Sequence, residues 1–182
     1  MKNKILNLDS IPEEFMYKEL GCGCNADCYL TKFGVVFKMM FYPEMEDYNT
    51  ILKNSEYSSE VIIFPKLIVH LKHKFIGYLM EYADGNNLKD ISDKVNIIKY
   101  IKAIKRLEEE IYKFSNYKIK FVDIGYTNII YTKDDKMKAI DTDFYEHDSN
   151  DESLLLNNLY SLSESVIKPF IDSNLRMMVS YT

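Results

Sequence analysis

The first half of the chain alternates short apolar stretches with polar turns, a pattern that favours β-strands over long helices. Five such stretches are candidate strands, at residues 15–20, 28–33, 34–40, 66–71 and 75–80. A more polar stretch from Pro43 to Leu52 interrupts the series, and its proline suits the first turn of a helix. We therefore expect the first half to form a five-stranded antiparallel sheet with one helix.

The second half has the spacing of amphipathic helices. From Val95 to Phe114, apolar residues recur every three or four positions and predict a core-facing stripe of Ile97, Ile98, Ile101, Ile104, Leu107 and Ile111. A second helix is predicted from Ser153 to Phe170, with the stripe Leu155, Leu159, Leu162 and Val166. The second half is therefore predicted to be mainly helical, and the chain as a whole to be α+β.

Composition narrows the classes of partner. The chain has 182 residues, of which 47% are hydrophobic, enough for one domain or for two small lobes. A net charge of −5 and a pI of about 5.3 provide no broad basic face, so we expect no nucleic-acid partner. No stretch has the length of a membrane span, and the start lacks the apolar core of a signal peptide. We expect a cytoplasmic protein, with delivery into another cell left open.

Three cysteines lie close together, at Cys22, Cys24 and Cys28. A closed zinc site needs four ligands, and the histidines that would complete it are distant in the sequence. We therefore expect three free thiols in a reducing compartment, with a metal site as the alternative.

The most chemically informative motif is DIGYTN, from Asp123 to Asn128, followed by Asp141. Residues 129–131 and 137–140 are apolar and flank a polar turn, which predicts a hairpin that brings Asn128 and Asp141 to the same end of two strands. Three oxygen-bearing side chains would then converge, and Mg²⁺ prefers such ligands together with water and phosphates. The alternative is that Asp123 and Asn128 are turn residues and that Asp141 only ends a strand.

This order and spacing resemble the protein-kinase superfamily. The resemblance implies that Asp123 orients or deprotonates the acceptor hydroxyl, and that Asn128 and Asp141 bind the magnesium ions that accompany ATP. It also implies a bilobal kinase-like fold as a single domain over residues 1–182. The N-lobe would span residues 1–82, the hinge 81–85 and a reduced, mainly helical C-lobe 86–182.

Upstream residues extend the resemblance. The segment from Leu20 to Tyr29 is similar to a kinase glycine-rich loop, which implies nucleotide contacts by Gly21, Gly23, Ala26 and Cys28. A simple hairpin turn is the alternative for this segment.

Lys38 lies within the apolar run 34–40, where a buried ammonium needs an anion. The resemblance assigns it to the ATP phosphates and to an ion pair with a glutamate on the following helix. Glu46 is the favoured partner, with Glu44 and Asp47 as rivals. The alternative is that these acids do not pair with Lys38 and only stabilise the N-terminus of the helix.

The string MEYADGNNL, from Met80 to Leu88, resembles the kinase hinge. The resemblance implies that Met80 is the gatekeeper and that backbone groups of Glu81 and Ala83 bind the adenine edge.

Several departures from the family narrow the expected function. The chain after Asp141 is too short for a full C-lobe and has no A-P-E motif, so it is similar in extent to small effector kinases that bacteria deliver into host cells. Phe121 and Val122 replace the usual His-Arg pair, so we expect activity without activation-loop phosphorylation. Gly125 replaces a lysine that assists transfer in Ser/Thr kinases. Asp143 replaces the glycine of D-F-G and either adds a metal ligand or binds backbone.

The expected function is therefore that of an ATP- and Mg²⁺-dependent phosphotransferase, most simply a Ser/Thr protein kinase. A protein substrate is expected, and an activating protein can dock on the reduced C-lobe. Two alternatives stay open, a small-molecule kinase of the aminoglycoside or choline kinase type, and a pseudokinase or nucleotide-binding interaction module.

Overall fold

The structure is a computed structural model that describes residues 4–91, 96–169 and 171–172. The chain forms two compact units. Unit 1 comprises Met1–Ser58 and Ile63–Tyr82, and unit 2 comprises Ser59–Ile62 and Ala83–Thr182. The fold is mixed α+β, as the sequence predicts. In the described ranges, no helix combines the length and the apolar character needed to cross a bilayer.

Unit 1 is built on a six-stranded sheet. Its strands are β1 (Ile5–Leu8), β2 (Lys18–Cys22), β3 (Ala26–Leu30), β4 (Val35–Met40), β5 (Leu67–Leu71) and β6 (Lys74–Glu81). The spatial order is β1-β5-β6-β4-β3-β2, and β2 to β6 pair antiparallel. The expectation of a purely antiparallel five-stranded sheet is wrong, because β1 pairs parallel with β5. Four residues carry too weak a local pattern to reveal an edge strand that exists only through this pairing.

One face of this sheet packs on an apolar core around Phe15, Phe37 and Val69. The sequence predicts Phe15 to begin a strand. In the structure it lies instead in a 3₁₀ turn, Glu13–Met16, that precedes β2. The predicted helix is present as α1 (Met45–Asn54), and Pro43 precedes its N-cap instead of occupying its first turn.

Unit 2 contains two longer helices and a small sheet. Helix α2 is Ile97–Asn116, and α3 is Leu154–Leu162, continued by a π-helical turn at Ser163–Ile167. The strands are β7 (Gly85–Asn87), β8 (Ile129–Thr132) and β9 (Met137–Ala139), in the order β7-β8-β9. The predicted hairpin is confirmed, since β8 pairs antiparallel with β9 and Ile129 lies opposite Ala139.

The predictions of which residues the two helices bury are partly wrong. On α2, the exposed side chains include Ile97, Ile98 and Ile101, while the buried face consists of Tyr100, Ala103, Leu107, Ile111, Phe114 and Ser115. On α3 and the turn after it, the buried residues are Leu154, Asn158, Leu162 and Val166. Val95 and Phe170, the predicted outer limits of the two helices, lie outside the described residues.

Candidate functional site

Asp123 and Asn128 are joined within the loop that leads from α2 to β8. The Asn128 Nδ2 donates to the Asp123 carbonyl oxygen at 2.9 Å and to the Asp123 Oδ2 at 3.0 Å. Both amide hydrogens are thereby directed to Asp123, which leaves the Asn128 Oδ1 as the atom able to bind a cation. Asp123 itself is exposed and has a φ of 58°, in the left-handed region.

Asn128 and Asp141 lie at the same end of the β8–β9 hairpin. The backbone N–H of Ile140 donates to the Asn128 carbonyl at 2.9 Å, one step beyond the Ile129–Ala139 pair. Asp141 follows directly, so the hairpin brings its backbone next to that of Asn128, as the sequence predicts.

Asp141 also adopts a left-handed backbone, with a φ of 63° and a ψ of 48°. It begins a 3₁₀ turn, Thr142–Phe144, in which Thr142 and Asp143 are buried and Phe144 is partly exposed. For a residue other than glycine such a backbone is uncommon, but aspartate adopts it more readily than most residues, and Asp135 and Asp148 also have a positive φ. Asp123 and Asp141, the two predicted functional aspartates, therefore share this uncommon conformation.

The negative charges of three aspartates in this region raise the pKa of one buried tyrosine. Tyr145 is almost completely buried, and its ring meets the Phe121 ring edge-on at a centroid distance of 4.7 Å. Burial raises the Tyr145 pKa well above its usual value, and the negative charges of Asp141, Asp123 and Asp143 raise it further. The three carboxylates therefore lie near the same buried hydroxyl.

The described ranges contain no group of three or more His, Cys, Asp or Glu side chains arranged to hold a metal. Asn128 and Asp141 supply one amide and one carboxylate, and this donor set suits Mg²⁺, which keeps several waters and binds substrate phosphates. It does not suit a closed zinc site. The cysteines are free thiols, with Cys22 and Cys24 exposed.

A buried asparagine that the sequence did not single out holds the segment before Asp123. The Asn158 Oδ1 accepts from the Phe121 N–H at 3.0 Å, and its Nδ2 donates to the Ile119 carbonyl at 3.0 Å and to the Ser115 Oγ at 2.8 Å. The Ser115 hydroxyl donates in turn to the Ile111 carbonyl at 2.7 Å. Asn158 therefore ties this segment to both α2 and α3. The available signal was a polar residue at helical spacing from Leu154 and Leu162.

Two further contacts hold the flanks of the Asp123–Asn128 loop. Lys120 and Glu146 form an antiparallel bridge, with backbone bonds of 2.9 and 3.1 Å and a side-chain ion pair of 3.0 Å. The Asn87 Nδ2, from β7, donates to the Thr127 carbonyl. The segment that follows Asp141 thus returns to the strand-like segment that precedes Asp123.

In unit 1, strand register collects several predicted nucleotide contacts on one face of the sheet. Lys38 on β4 is only 8% exposed and lies opposite Cys28 on β3. Ala26 precedes Cys28 by two positions, and Met80 on β6 lies opposite Val36. Since alternate residues of a strand share a face, these side chains lie on the Lys38 face, opposite the core around Phe37.

The glycines of the β2–β3 hairpin are not required by the fold. A Cβ at Gly21 would meet nothing within 4 Å, and one at Gly23 would meet only the Ala26 carbonyl, at 3.5 Å. Neither glycine has a φ in the left-handed region. Their side-chain-free backbone is therefore available for another purpose, such as close approach of a ligand.

Gly77 on β6 differs from these glycines. Its φ is 148°, and a Cβ there would lie 2.0 Å from the Lys38 carbonyl oxygen. Only glycine at position 77 therefore allows β6 to lie this close to β4 beside the buried Lys38.

Helix α1 does not provide the expected ion pair in this structure. Glu46 is exposed, and no hydrogen bond or ion pair involves its side chain in the described ranges. Its rivals Glu44 and Asp47 form a capping box, in which the Glu44 N–H donates to the Asp47 carboxylate at 2.7 Å. For these two acids, the alternative of helix capping is the one observed.

The hinge-like string spans the boundary of the two units. Met80 is 7% exposed, and Glu81, at the end of β6, lies opposite Val35. Ala83 is half-buried and begins the longer part of unit 2. The proposed adenine contacts stay a prediction.

No protein-family model matches the chain, and no curated protein sequence matches it either.

Proposed function

We propose that the protein is an ATP- and Mg²⁺-dependent phosphotransferase with a kinase-like, bilobal organisation, in which units 1 and 2 correspond to the N-lobe and the reduced C-lobe. Its substrate is a protein hydroxyl. The observation that carries this proposal is the hydrogen bonding of Asn128 to Asp123, together with the Ile140–Asn128 backbone bond that places Asp141 beside them at one end of the β8–β9 hairpin.

The roles follow from the chemistry of each group. The Asn128 amide directs its hydrogens to Asp123, so its oxygen is oriented for a metal ion, and Asp141 adds a carboxylate. Asn128 and Asp141 would hold magnesium, which would supply positive charge against the ATP phosphates. Asp123 is exposed and accepts the hydrogen of the acceptor hydroxyl.

Unit 1 contributes the nucleotide-binding groups. The buried Lys38 ammonium contacts the ATP phosphates, and the glycine-rich hairpin offers backbone N–H groups where no side chain intervenes. Phosphoryl transfer demands little covalent chemistry from the protein, so positioning and charge neutralisation by these groups account for catalysis.

The segment after Asp141 supports activity without activation-loop control. It folds back within a few residues, through the Lys120–Glu146 bridge and through the Ser149 N–H, which donates to the Lys118 carbonyl at 3.1 Å. We expect no phosphosite between Phe144 and Ser153 to be needed for activity, which mass spectrometry of the active protein checks.

The decisive experiment replaces Asp123 by Asn. Asparagine tolerates the left-handed backbone and can still accept from Asn128, so folding is retained while the carboxylate is lost. We expect transfer from labelled ATP to a protein mixture to fall by about a hundredfold to ten-thousandfold. D135N is the matched control, because Asp135 also has a left-handed backbone but lies in the turn at the opposite end of the hairpin.

Binding is measured separately from transfer by thermal unfolding with ATP, with and without Mg²⁺. D123N should retain the Mg²⁺-dependent shift, and D141N should lose it. Undiminished transfer by D123N would refute the role of Asp123. The absence of any Mg²⁺-dependent shift in the unmodified protein would favour the pseudokinase, and transfer to amino alcohols alone would favour the small-molecule kinase.

A further inference from the structure

The outer face of α2 carries a regular stripe that the fold of unit 2 leaves exposed. Ile98, Lys102, Lys105, Glu109 and Tyr112 follow one another at alternating steps of four and three residues. All five are exposed, with Ile98 at 67% and Tyr112 at 54%. Such spacing is that of a seam along which two helices pack.

The charges of this stripe form no ion pair with another described residue. In the described ranges, neither Lys102 nor Lys105 has an ion-pair partner, and the same is true of Glu109. Lys105 and Glu109 are four residues apart, but with the lysine first, which is the weaker orientation for a pair along a helix.

The stripe is self-complementary when reversed. If two copies of α2 pack antiparallel about a twofold axis level with Leu107, Lys105 of each copy faces Glu109 of the other. In the same register, Lys102 faces Tyr112, over whose ring its ammonium can lie. A twofold arrangement makes each contact twice and closes after two chains.

We propose that the outer face of α2 is a docking surface for a second copy of this chain, joined as an antiparallel helix pair. This inference is independent of the proposed enzymatic function. An anionic membrane is the competing occupant, since it would attract the lysines, but Glu109 lies in the same stripe and would be repelled by it.

The interface is expected to be small. A helix of 20 residues is about 30 Å long, and one helix face places the contact at the low end of specific interfaces. The dimer should therefore be concentration-dependent, and added salt should weaken it because its central contacts are ion pairs.

Reciprocal charge reversal tests the pairing and its register. Sedimentation velocity of the full chain should show a dimer that weakens about tenfold in K105E and in E109K, since each variant brings like charges together. Mixing K105E with E109K should restore association, because both central pairs are then of opposite charge. K18E/K32E, at exposed positions of unit 1, is the control and should associate like the unmodified chain. Circular dichroism establishes that α2 remains helical.

Three results would overturn the proposal. One is a mass that stays monomeric at all concentrations, and another is a dimer unaffected by either reversal. The third is a failure of the mixture to associate when each variant alone has lost association. Binding of the monomer to phosphatidylserine vesicles, abolished by K105E, would identify the membrane as the occupant instead.

Discussion

The two units position their candidate residues by different physical means. In unit 1, strand register alone gathers Ala26, Cys28, Lys38 and Met80 on one face of the sheet. In unit 2, side-chain hydrogen bonds to the backbone position the Asp123 loop, and the strongest of these anchors, Asn158, is buried and distant in sequence. Strand register follows a local alternation of residues, whereas a polar anchor depends on which elements meet around it.

The largest effect is expected from replacing Asn158 by Leu. The substitution keeps the branching of the side chain at Cγ but leaves the Phe121 N–H and the Ile119 carbonyl buried without their partner, and it removes the bond to Ser115. Each unsatisfied buried group is costly, so the free energy of unfolding should fall by about 3 kcal/mol or more. Urea denaturation followed by circular dichroism suits the measurement, because the chain has no tryptophan.

Asn157→Leu is the matched control for this anchor, as an exposed asparagine on the same helix. It should change the free energy of unfolding by less than about 1 kcal/mol. If both substitutions lowered the free energy of unfolding equally, Asn158 would not be a special anchor. The contrast between polar anchoring in unit 2 and strand register in unit 1 would then be lost.

The second effect concerns register in unit 1. Gly77→Ala forces a Cβ against the Lys38 carbonyl at a backbone angle that alanine rarely adopts, so unfolding should become easier by about 2 to 4 kcal/mol. Gly21→Ala meets open space and should change stability by about 0.5 kcal/mol or less. If our proposed function is correct, Gly21→Ala still weakens ATP binding, because its methyl group lies where the phosphates approach.

The smallest effect comes from one buried polar atom of unit 1. The His70 Nε2 has no hydrogen-bond partner among the described residues. The His70 ring packs against both Tyr48 and Phe75, and burial, followed by the nearby His73, lowers its pKa below 6.5.

Because the lowered pKa means that the unfolded chain binds the proton more readily, stability should fall as the pH drops below 6.5. His70→Phe keeps the aromatic packing and should flatten this dependence, as thermal unfolding between pH 5 and pH 7.5 would show. His73→Asn, which tolerates the left-handed backbone there, should leave it largely unchanged. An acid-induced loss of stability that persists in His70→Phe would assign it to other groups.

Local patterns predicted those parts of the candidate site that depend on neighbours in sequence. The β8–β9 hairpin followed from two short apolar runs around a polar turn, and it correctly brought Asn128 and Asp141 to one end. The burial of Lys38 followed from the apolar run around it. Each conclusion needed only strand alternation or turn composition, which act over a few residues.

Local patterns failed where a partner element decides which face is covered. Periodicity placed Ile98 and Ile101 of α2 in the core, yet Tyr100 and Ala103 are buried instead. Hydrophobic spacing defines a stripe but not its width or centre, because these depend on the neighbouring helix and sheet. The same limitation explains why the pattern of an apolar helix does not reveal the anchoring role of Asn158.

The order of residues along this chain was sufficient to specify its α+β class and most of its strands, and its resemblance to kinases is the source of the roles we propose for Lys38, Asp123, Asn128 and Asp141. Tertiary packing alone decided the sixth strand, the capping use of Glu44 and Asp47, the anchoring by Asn158 and the exposed stripe of α2. The reason is the range of the forces involved. Turn and strand propensities act between adjacent residues, whereas burial and hydrogen-bond satisfaction depend on which distant segments meet.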